Sequence, residues 1–117
     1  LLLRQAVKHI DFSEDGKMAW MMLSFEEAEK IGALDIHPEG ILNYTRMISG
    51  VEIGMLFRET NPGYVKVGFR SRGKVDVSVL AAALGGGGHR QAAGAQQQGS
   101  LEEVKNKVLA IVKDVID

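Results

Sequence analysis

Four consecutive glycines, Gly85 to Gly88, interrupt an otherwise apolar part of the chain. Leu80-Ala81-Ala82-Ala83-Leu84 precedes them, whereas a flexible linker is normally flanked by serine or charged residues. Glycine lets the main chain adopt positive φ, and consecutive N–H groups in such a turn can form an anion-binding nest. His89 follows at once and can donate a hydrogen bond to a phosphate. The run predicts a loop that holds a phosphate; a tight connection with His89 on the surface is the alternative.

The composition indicates one globular domain with a modest core. The chain has 117 residues, of which 45% are hydrophobic and 25% charged, and both fractions are ordinary for a folded domain. The formal net charge is −1, so no overall positive field attracts nucleic acid. Any site for an anion must therefore be local.

The cysteine content, the apolar runs and the first residues of the chain indicate where in the cell the protein is located. The chain has no cysteine, which excludes disulfides and thiolate metal sites and fits the cytoplasm. No apolar run reaches the ~18 residues of a membrane-spanning helix, and the first residues lack the pattern of a signal peptide. Leu3, Val7 and Ile10 have helical spacing. We expect a cytoplasmic protein without membrane association, cut here within a helix, with residues 1–16 the end of a linker from an upstream domain.

Hydrophobic periodicity and capping signals predict a small α/β fold. Ser24 with Glu27, and Ser100 with Glu103, have the spacing of capping boxes. The predicted elements are a strand over 17–23, helices over about 24–31 and 38–48, a hairpin over 51–59 and 64–72, a helix over 76–84, a loop from 85, a strand ending at 98 and a helix from 100. We expect one small domain over 17–117, with a mixed β-sheet of about four to five strands packed against helices.

The second arm of the predicted hairpin carries basic residues. Strand alternation puts Val65, Val67, Phe69 and Ser71 on one face, and Lys66, Gly68, Arg70 and Arg72 on the other. Guanidinium groups bind phosphate bidentately and stack on bases. A solvated basic face is the alternative, since Arg and Lys are mostly exposed.

Several strings together resemble the DHHA1 domain, the C-terminal substrate-binding part of the DHH-family phosphoesterases. The strings are Val65-Lys66-Val67-Gly68-Phe69-Arg70-Ser71-Arg72, Val75-Asp76-Val77, Leu80-Ala81 and the GGGGH-x-x-A-A-G run from Gly85 to Gly94. Upstream, 39–44 and 50–59 are similar to the branch with nano-RNase and 3′-phosphoadenosine-5′-phosphate (pAp) phosphatase activity. The resemblance covers about residues 17–117.

The resemblance implies a division of labour between two domains. The missing DHH domain would hold two Mn²⁺ ions and the attacking water, and this domain would clamp short RNA oligonucleotides or pAp. The substrate-binding residues it implies are Arg70, Ser71, Arg72, Gly85, Gly86, Gly87, Gly88 and His89. Asp76 is interpreted as a helix cap.

A metal site is not expected in the chain itself. The Asp-His-His triplet that names the family is absent. Asp35-Ile36-His37 comes nearest to metal-ligand spacing, but it adjoins the helix-opening Pro38 and has no second cluster. We therefore expect binding without cleavage, with no catalytic residue and no cofactor in this chain.

Three other functions remain open at this point. A cyclic-dinucleotide phosphodiesterase or an exopolyphosphatase-like enzyme could use the same loop for an anionic substrate. A non-catalytic RNA-binding appendage, like the related C-terminal domain of alanyl-tRNA synthetases, is the alternative from another class. The oligomeric state does not follow from the sequence.

Overall fold

The computed structural model describes residues 10–33 and 37–116. The predicted helix at the start of the chain and Asp35 lie outside these residues. The strands are β1 (Asp11–Phe12), β2 (Met18–Leu23), β3 (Ile53–Asn61), β4 (Tyr64–Ser71), β5 (Gly87–His89) and β6 (Ala92–Gln98). The helices are α1 (Phe25–Ala33), α2 (Pro38–Tyr44), α3 (Val77–Ala83) and α4 (Leu101–Ile116), and a 3₁₀ turn covers Thr45–Met47.

The strands form one mixed sheet in the order β1-β2-β3-β4-β6-β5. β2 and β3 are parallel, and the other neighbouring pairs are antiparallel. Two parallel neighbours need a long crossover connection, and α1, α2 and the 3₁₀ turn supply it. The α/β fold with a mixed sheet is confirmed; the sheet has six strands rather than four to five, because the short β1 and β5 join its two edges.

Side-chain capping fixes where three helices begin. Ser24 Oγ accepts from Glu27 N, and Glu27 Oε1 accepts from Ser24 N at 2.8 Å, so α1 begins with the predicted capping box. The second box, at the start of α4, is also formed. Asp76 Oδ1 accepts from Ser78 N at 3.0 Å and caps α3. The expected end of α1 near Ile31 is wrong: Gly32 stays within the helix, which ends at Ala33.

α2 is shorter than the predicted helix over 38–48. The α-helix ends at Tyr44 and tightens into the 3₁₀ turn, where Thr45 Oγ1 donates to Leu42 O at 2.7 Å. A Cβ on Gly54 of β3 would collide with the Thr45 side chain. The absence of a side chain at Gly54 therefore lets this turn pack directly on the sheet.

The two faces of the sheet are covered unequally. On one face α3 and α4 complete the larger core, which includes Phe57, Phe69, Val77 and Val108, all fully buried. On the other face α1 and α2 pack in a smaller cluster that includes Ile41, Leu42 and Leu56. This second face stays open beyond α2, over β4, β6 and β5, and we call this part the open face.

Candidate functional site

The first two glycines of the run close helix α3 and do not form the expected phosphate loop. Gly85 N donates to Ala82 O at 3.0 Å, and Gly86 N donates to Ala81 O at 2.7 Å. With Gly85 at φ 83°, this is the Schellman arrangement that ends a helix. Both N–H groups are thereby engaged within the chain, so Gly85 and Gly86 have no free backbone donor to contribute to the predicted anion-binding nest.

The second half of the run is a strand rather than a loop. Gly87, Gly88 and His89 form β5, which pairs with β6 at the sheet edge. Gly88 has φ 147°, and a Cβ there would lie 2.5 Å from Ala93 Cα, so backbone and packing both demand glycine. Gly87 is different: its φ is ordinary, and a Cβ would meet nothing within 4 Å.

Strand register aligns glycines across the open face. Gly68 of β4 pairs with Gly94 of β6, which pairs with Gly87 of β5. Directly opposed residues point to the same face of a sheet, so these three positions add no side chain of their own to it. The Leu42 side chain of α2 packs over Gly68, which leaves a shallow trough above Gly94 and Gly87. We call Gly68, Gly94 and Gly87 the glycine row.

The trough and helix α2 enclose a cleft of about 280 Å³. Pro38, Glu39 and Leu42 of α2 form one wall, and the glycine row lies in the floor. The cleft also has a cationic lining from three side chains: Arg58, Lys66 and Arg70. A local positive cleft therefore exists in a chain whose net charge is −1.

Arg70 is held in place while part of its guanidinium stays available. Its Nε donates to Asn43 Oδ1 at 2.9 Å, and its Nη1 donates to Phe69 O at 2.9 Å. Because guanidinium has five N–H groups, three of them have no partner among the described residues. Burial, followed by repulsion from Arg46, lowers the pKa of Arg70, against an opposing attraction from Glu39. Arginine remains charged under such shifts, so the group can bind an anion.

His89 lies on the edge strand β5, in the row of cross-strand partners next to the glycine row. It pairs with Ala92, which pairs with Arg70, so His89 and Arg70 share the open face with one strand between them. The His89 side chain is exposed and does not line the cleft in this structure.

Two of the residues implied by the resemblance lie elsewhere. Ser71 is 1% exposed on the opposite face, where its hydroxyl donates to Val75 O at 2.7 Å. Arg72 donates to Arg46 O and Ile48 O with distances of 2.7–2.9 Å, so it fastens the end of the 3₁₀ turn. Neither side chain lines the cleft, and a substrate contact by either has no geometric support.

A register shift in the hairpin places a cation that the sequence analysis missed. Asn61 pairs with Tyr64, but Glu59 pairs with Val65, so Thr60 is an extra residue. This bulge sets Arg58 directly opposite Lys66 on the open face. The alternation of apolar residues along β3 and β4 contains a signal for this bulge. When only two residues form the turn, the apolar residues of the two strands can lie on the same face only if one strand has an extra, bulged residue.

Helix α2 contributes two further residues that the sequence analysis did not select. Asn43 orients Arg70, as described above, and Glu39 brings a carboxylate to a cleft whose other charged lining residues are cations. The sequence gives only a weak signal that these two residues belong to a site, because a single Glu or Asn on an amphipathic helix is usually solvated.

Neither a cluster of metal ligands nor a membrane-spanning helix occurs among the residues that the structure describes. Across residues 10–33 and 37–116, no three His, Cys, Asp or Glu side chains are grouped so that they could hold a metal ion. His37 is the N-cap residue of α2, but its side chain makes no capping hydrogen bond. No helix in the described part of the chain combines the length and apolar character needed to cross a bilayer.

Comparisons with known proteins agree on the type of domain. Over 70 residues the chain is 40% identical to the bifunctional oligoribonuclease and PAP phosphatase NrnA of Thermus thermophilus, covering 59% of this chain and 21% of that protein. An exopolyphosphatase-related protein from Bacteroides fragilis superposes with a TM-score of 0.77 at 27% identity, over 97% of this chain and 34% of the other.

A pGpG-specific phosphodiesterase, PggH from Vibrio cholerae, has the same fold, with a TM-score of 0.66 at 15% identity, over 97% of this chain and 37% of that one. The chain thus spans about a fifth to somewhat over a third of the length of these three relatives. Residues 35–117, more than half of the chain, match the DHHA1 domain family. The chain therefore belongs to the DHHA1 family.

Proposed function

We propose that the chain is the substrate-binding domain of a DHH phosphoesterase that hydrolyses short oligoribonucleotides, and also pAp to AMP. The relative from Thermus thermophilus is named for both activities and is 40% identical over 70 residues. The proposal places the chain in the cytoplasm as the C-terminal partner of a DHH domain.

The observation that carries the proposal is Arg70 beside the glycine row. Arg70, with three available N–H groups, lines the same cleft as Gly94 and Gly87, over which no described side chain packs. Guanidinium binds phosphate in a bidentate manner or stacks on a base. Arg70 would therefore hold a phosphate in the cleft, Gly87 would allow close approach, and His89 would contact the ligand where it extends over β5.

The size of the cleft favours a short substrate. A volume of about 280 Å³ is at the lower end for small-molecule sites. A protein that binds long nucleic acid normally presents a broad basic stripe, whereas here three cations line a small cleft and the net charge is −1. The same facts argue against a general RNA-binding appendage.

Bond cleavage is assigned to the DHH domain. Two Mn²⁺ ions held there would activate water and neutralise charge on the phosphate. The role of this chain is to bind and orient the substrate, which lowers the entropic cost of the reaction.

Binding by the 117-residue chain tests the proposal. A fluorescent 5′-phosphorylated diribonucleotide serves as the probe, and pAp, a cyclic dinucleotide, polyphosphate and tRNA compete with it. We expect the diribonucleotide and pAp to compete best. Arg70→Gln should weaken binding about tenfold or more, because a charge-assisted hydrogen bond contributes ~1.5–3 kcal/mol. Lys113→Gln removes an equal charge from α4, on the opposite side of the sheet, and should change little.

Other outcomes would favour the alternatives. Preference for polyphosphate or for the cyclic dinucleotide would favour the corresponding enzymes. Tight tRNA binding with no preference for dinucleotides would indicate an appendage domain. Equal affinity of the wild type and Arg70→Gln would contradict the assignment of Arg70.

A further inference from the structure

Arg58 and Lys66 form a like-charge pair at the far side of the cleft from Arg70. They are direct cross-strand partners on the open face, and both line the cleft. Like charges in this position repel and weaken strand pairing. Neither takes part in an ion pair with another described residue. An anion bound between the two side chains would remove this repulsion.

We propose that Arg58 and Lys66 form a second phosphate subsite, so that the cleft selects ligands with two separated phosphoryl groups. This inference rests on the proposed function and adds to it a reason for substrate choice. Arg70 binds one phosphoryl group, and the pair binds the other. The Thr60 bulge is what creates the subsite, because it brings Arg58 opposite Lys66.

The spacing of the two subsites indicates what lies between the phosphoryl groups. Lys66 and Arg70 are four residues apart on β4, which corresponds to roughly 13 Å along the strand. Gly68 stands midway, covered by the apolar Leu42 side chain, and the uncharged Gly94 lies beside it in the cleft. A ligand with charge at two ends and a neutral sugar or nucleoside in the middle matches this order of groups.

Glu39 makes the cleft less favourable for a continuous polyanion than for a ligand with two separate phosphoryl groups. Its carboxylate lines the same cleft, and its charge is felt at Arg70. A carboxylate repels a phosphate chain that fills the cleft, but it accepts hydrogen bonds from ribose hydroxyls. The lining therefore favours a nucleoside 3′,5′-bisphosphate or a 5′-phosphorylated dinucleotide over inorganic polyphosphate.

Affinities of the 117-residue chain for three probes test the subsite. Adenosine 3′,5′-bisphosphate has two phosphoryl groups, AMP has one, and tripolyphosphate is a continuous anion. Wild-type chain should bind the bisphosphate at least about tenfold more tightly than AMP. Lys66→Gln and Arg58→Gln should reduce this ratio strongly while AMP affinity changes less than about twofold. Lys66→Arg should preserve the ratio, and Lys113→Gln is the control for charge alone.

The outcomes separate this inference from the proposed function. Equal affinities of the wild type for AMP and the bisphosphate, or variants that weaken both nucleotides equally, would overturn the second subsite and leave the Arg70 site intact. Tighter binding of tripolyphosphate than of the bisphosphate would also overturn it. Failure of the wild type to bind either nucleotide would contradict the proposed function itself. If the NMR spectrum shows that Arg58→Gln is poorly folded, the affinity ratio of Lys66→Gln alone tests the subsite, since Lys66 is exposed.

Discussion

At the scale of single residues, the four glycines of the run have different physical roles. Gly85 allows the helix to end, while Gly86 and Gly88 lie so close to β6 that a Cβ would collide with it. Gly87 alone in the run combines an ordinary φ, open space and a position on the cleft. Because the fold does not require glycine there, we propose that its lack of a side chain serves ligand access.

This division predicts opposite effects of two neighbouring substitutions. Gly87→Ala should change the free energy of unfolding by less than about 1 kcal/mol but weaken pAp binding severalfold, because its methyl group enters the cleft. Gly88→Ala should destabilise the chain by about 1–3 kcal/mol or more, through strain at positive φ and overlap with β6.

Urea unfolding and pAp titration of the two variants provide the measurements. Gly32→Ala, at a helical glycine with open space around it, is the control and should be neutral or slightly stabilising. A stable Gly87→Ala variant with unchanged pAp affinity would show that ligand access is not the reason for glycine there.

Sequence reasoning assigned single residues to the correct face of the sheet where the two-residue alternation of a strand could be used. Alternation along 65–71 gave the correct buried face, and the same alternation already separated Ser71 from Arg70. The expectation that Ser71 contacts substrate came from the family pattern, which preserves a residue in sequence whether it binds a ligand or supports the fold. The role of Arg72 could not be read in this way, because its partners lie on a segment more than twenty residues away.

At the scale of secondary-structure elements, local hydrogen bonds determined what could be predicted. Both capping boxes and the Asp76 cap were visible in the sequence, since their partners lie within three residues. β5 was not visible, because glycine-rich sequence has little strand preference. It becomes a strand only because the turn after His89 returns β6 alongside it.

The capping box of α4 predicts an acid-dependent loss of stability. Hydrogen bonds from Ser100, first its backbone N–H and then its side chain, lower the pKa of Glu103 below its ordinary value of 4.5. A carboxyl group whose pKa is lower in the folded state contributes stability that is complete above its unfolded pKa. That contribution disappears as the pH falls through the lower, folded pKa.

Urea unfolding of the wild type and Glu103→Gln at pH 7, 4.5 and 3 measures this effect. The wild type should be the more stable protein at pH 7, and the difference should shrink toward pH 3. Asp114→Asn, near the other end of α4, removes a carboxylate without disturbing the box and is the control. A difference that stays constant from pH 7 to pH 3 would contradict the role of the ionised Glu103.

At the scale of the whole molecule, the cleft depends on contacts between distant parts of the chain. The parallel pairing of β2 with β3 and the order of β4, β6 and β5 bring Arg58, Arg70 and Gly87 to one face. These pairings have no local signature, so the sequence predicted the fold class and some of the residues that line the cleft, but not the cleft itself. Sequence reasoning centred the candidate site on the glycine run, whereas the cleft lies on the sheet beside α2.

The role proposed for this domain requires that the open face of its sheet bind a nucleotide phosphate. An NMR titration of the ¹⁵N-labelled chain with pAp tests this most directly. We predict saturable shift changes concentrated at Gly68, Arg70, Gly87 and Gly94, with smaller changes at His89 and none along α4. Absence of saturable changes at these positions up to millimolar pAp, or changes concentrated on α4, would contradict the claim.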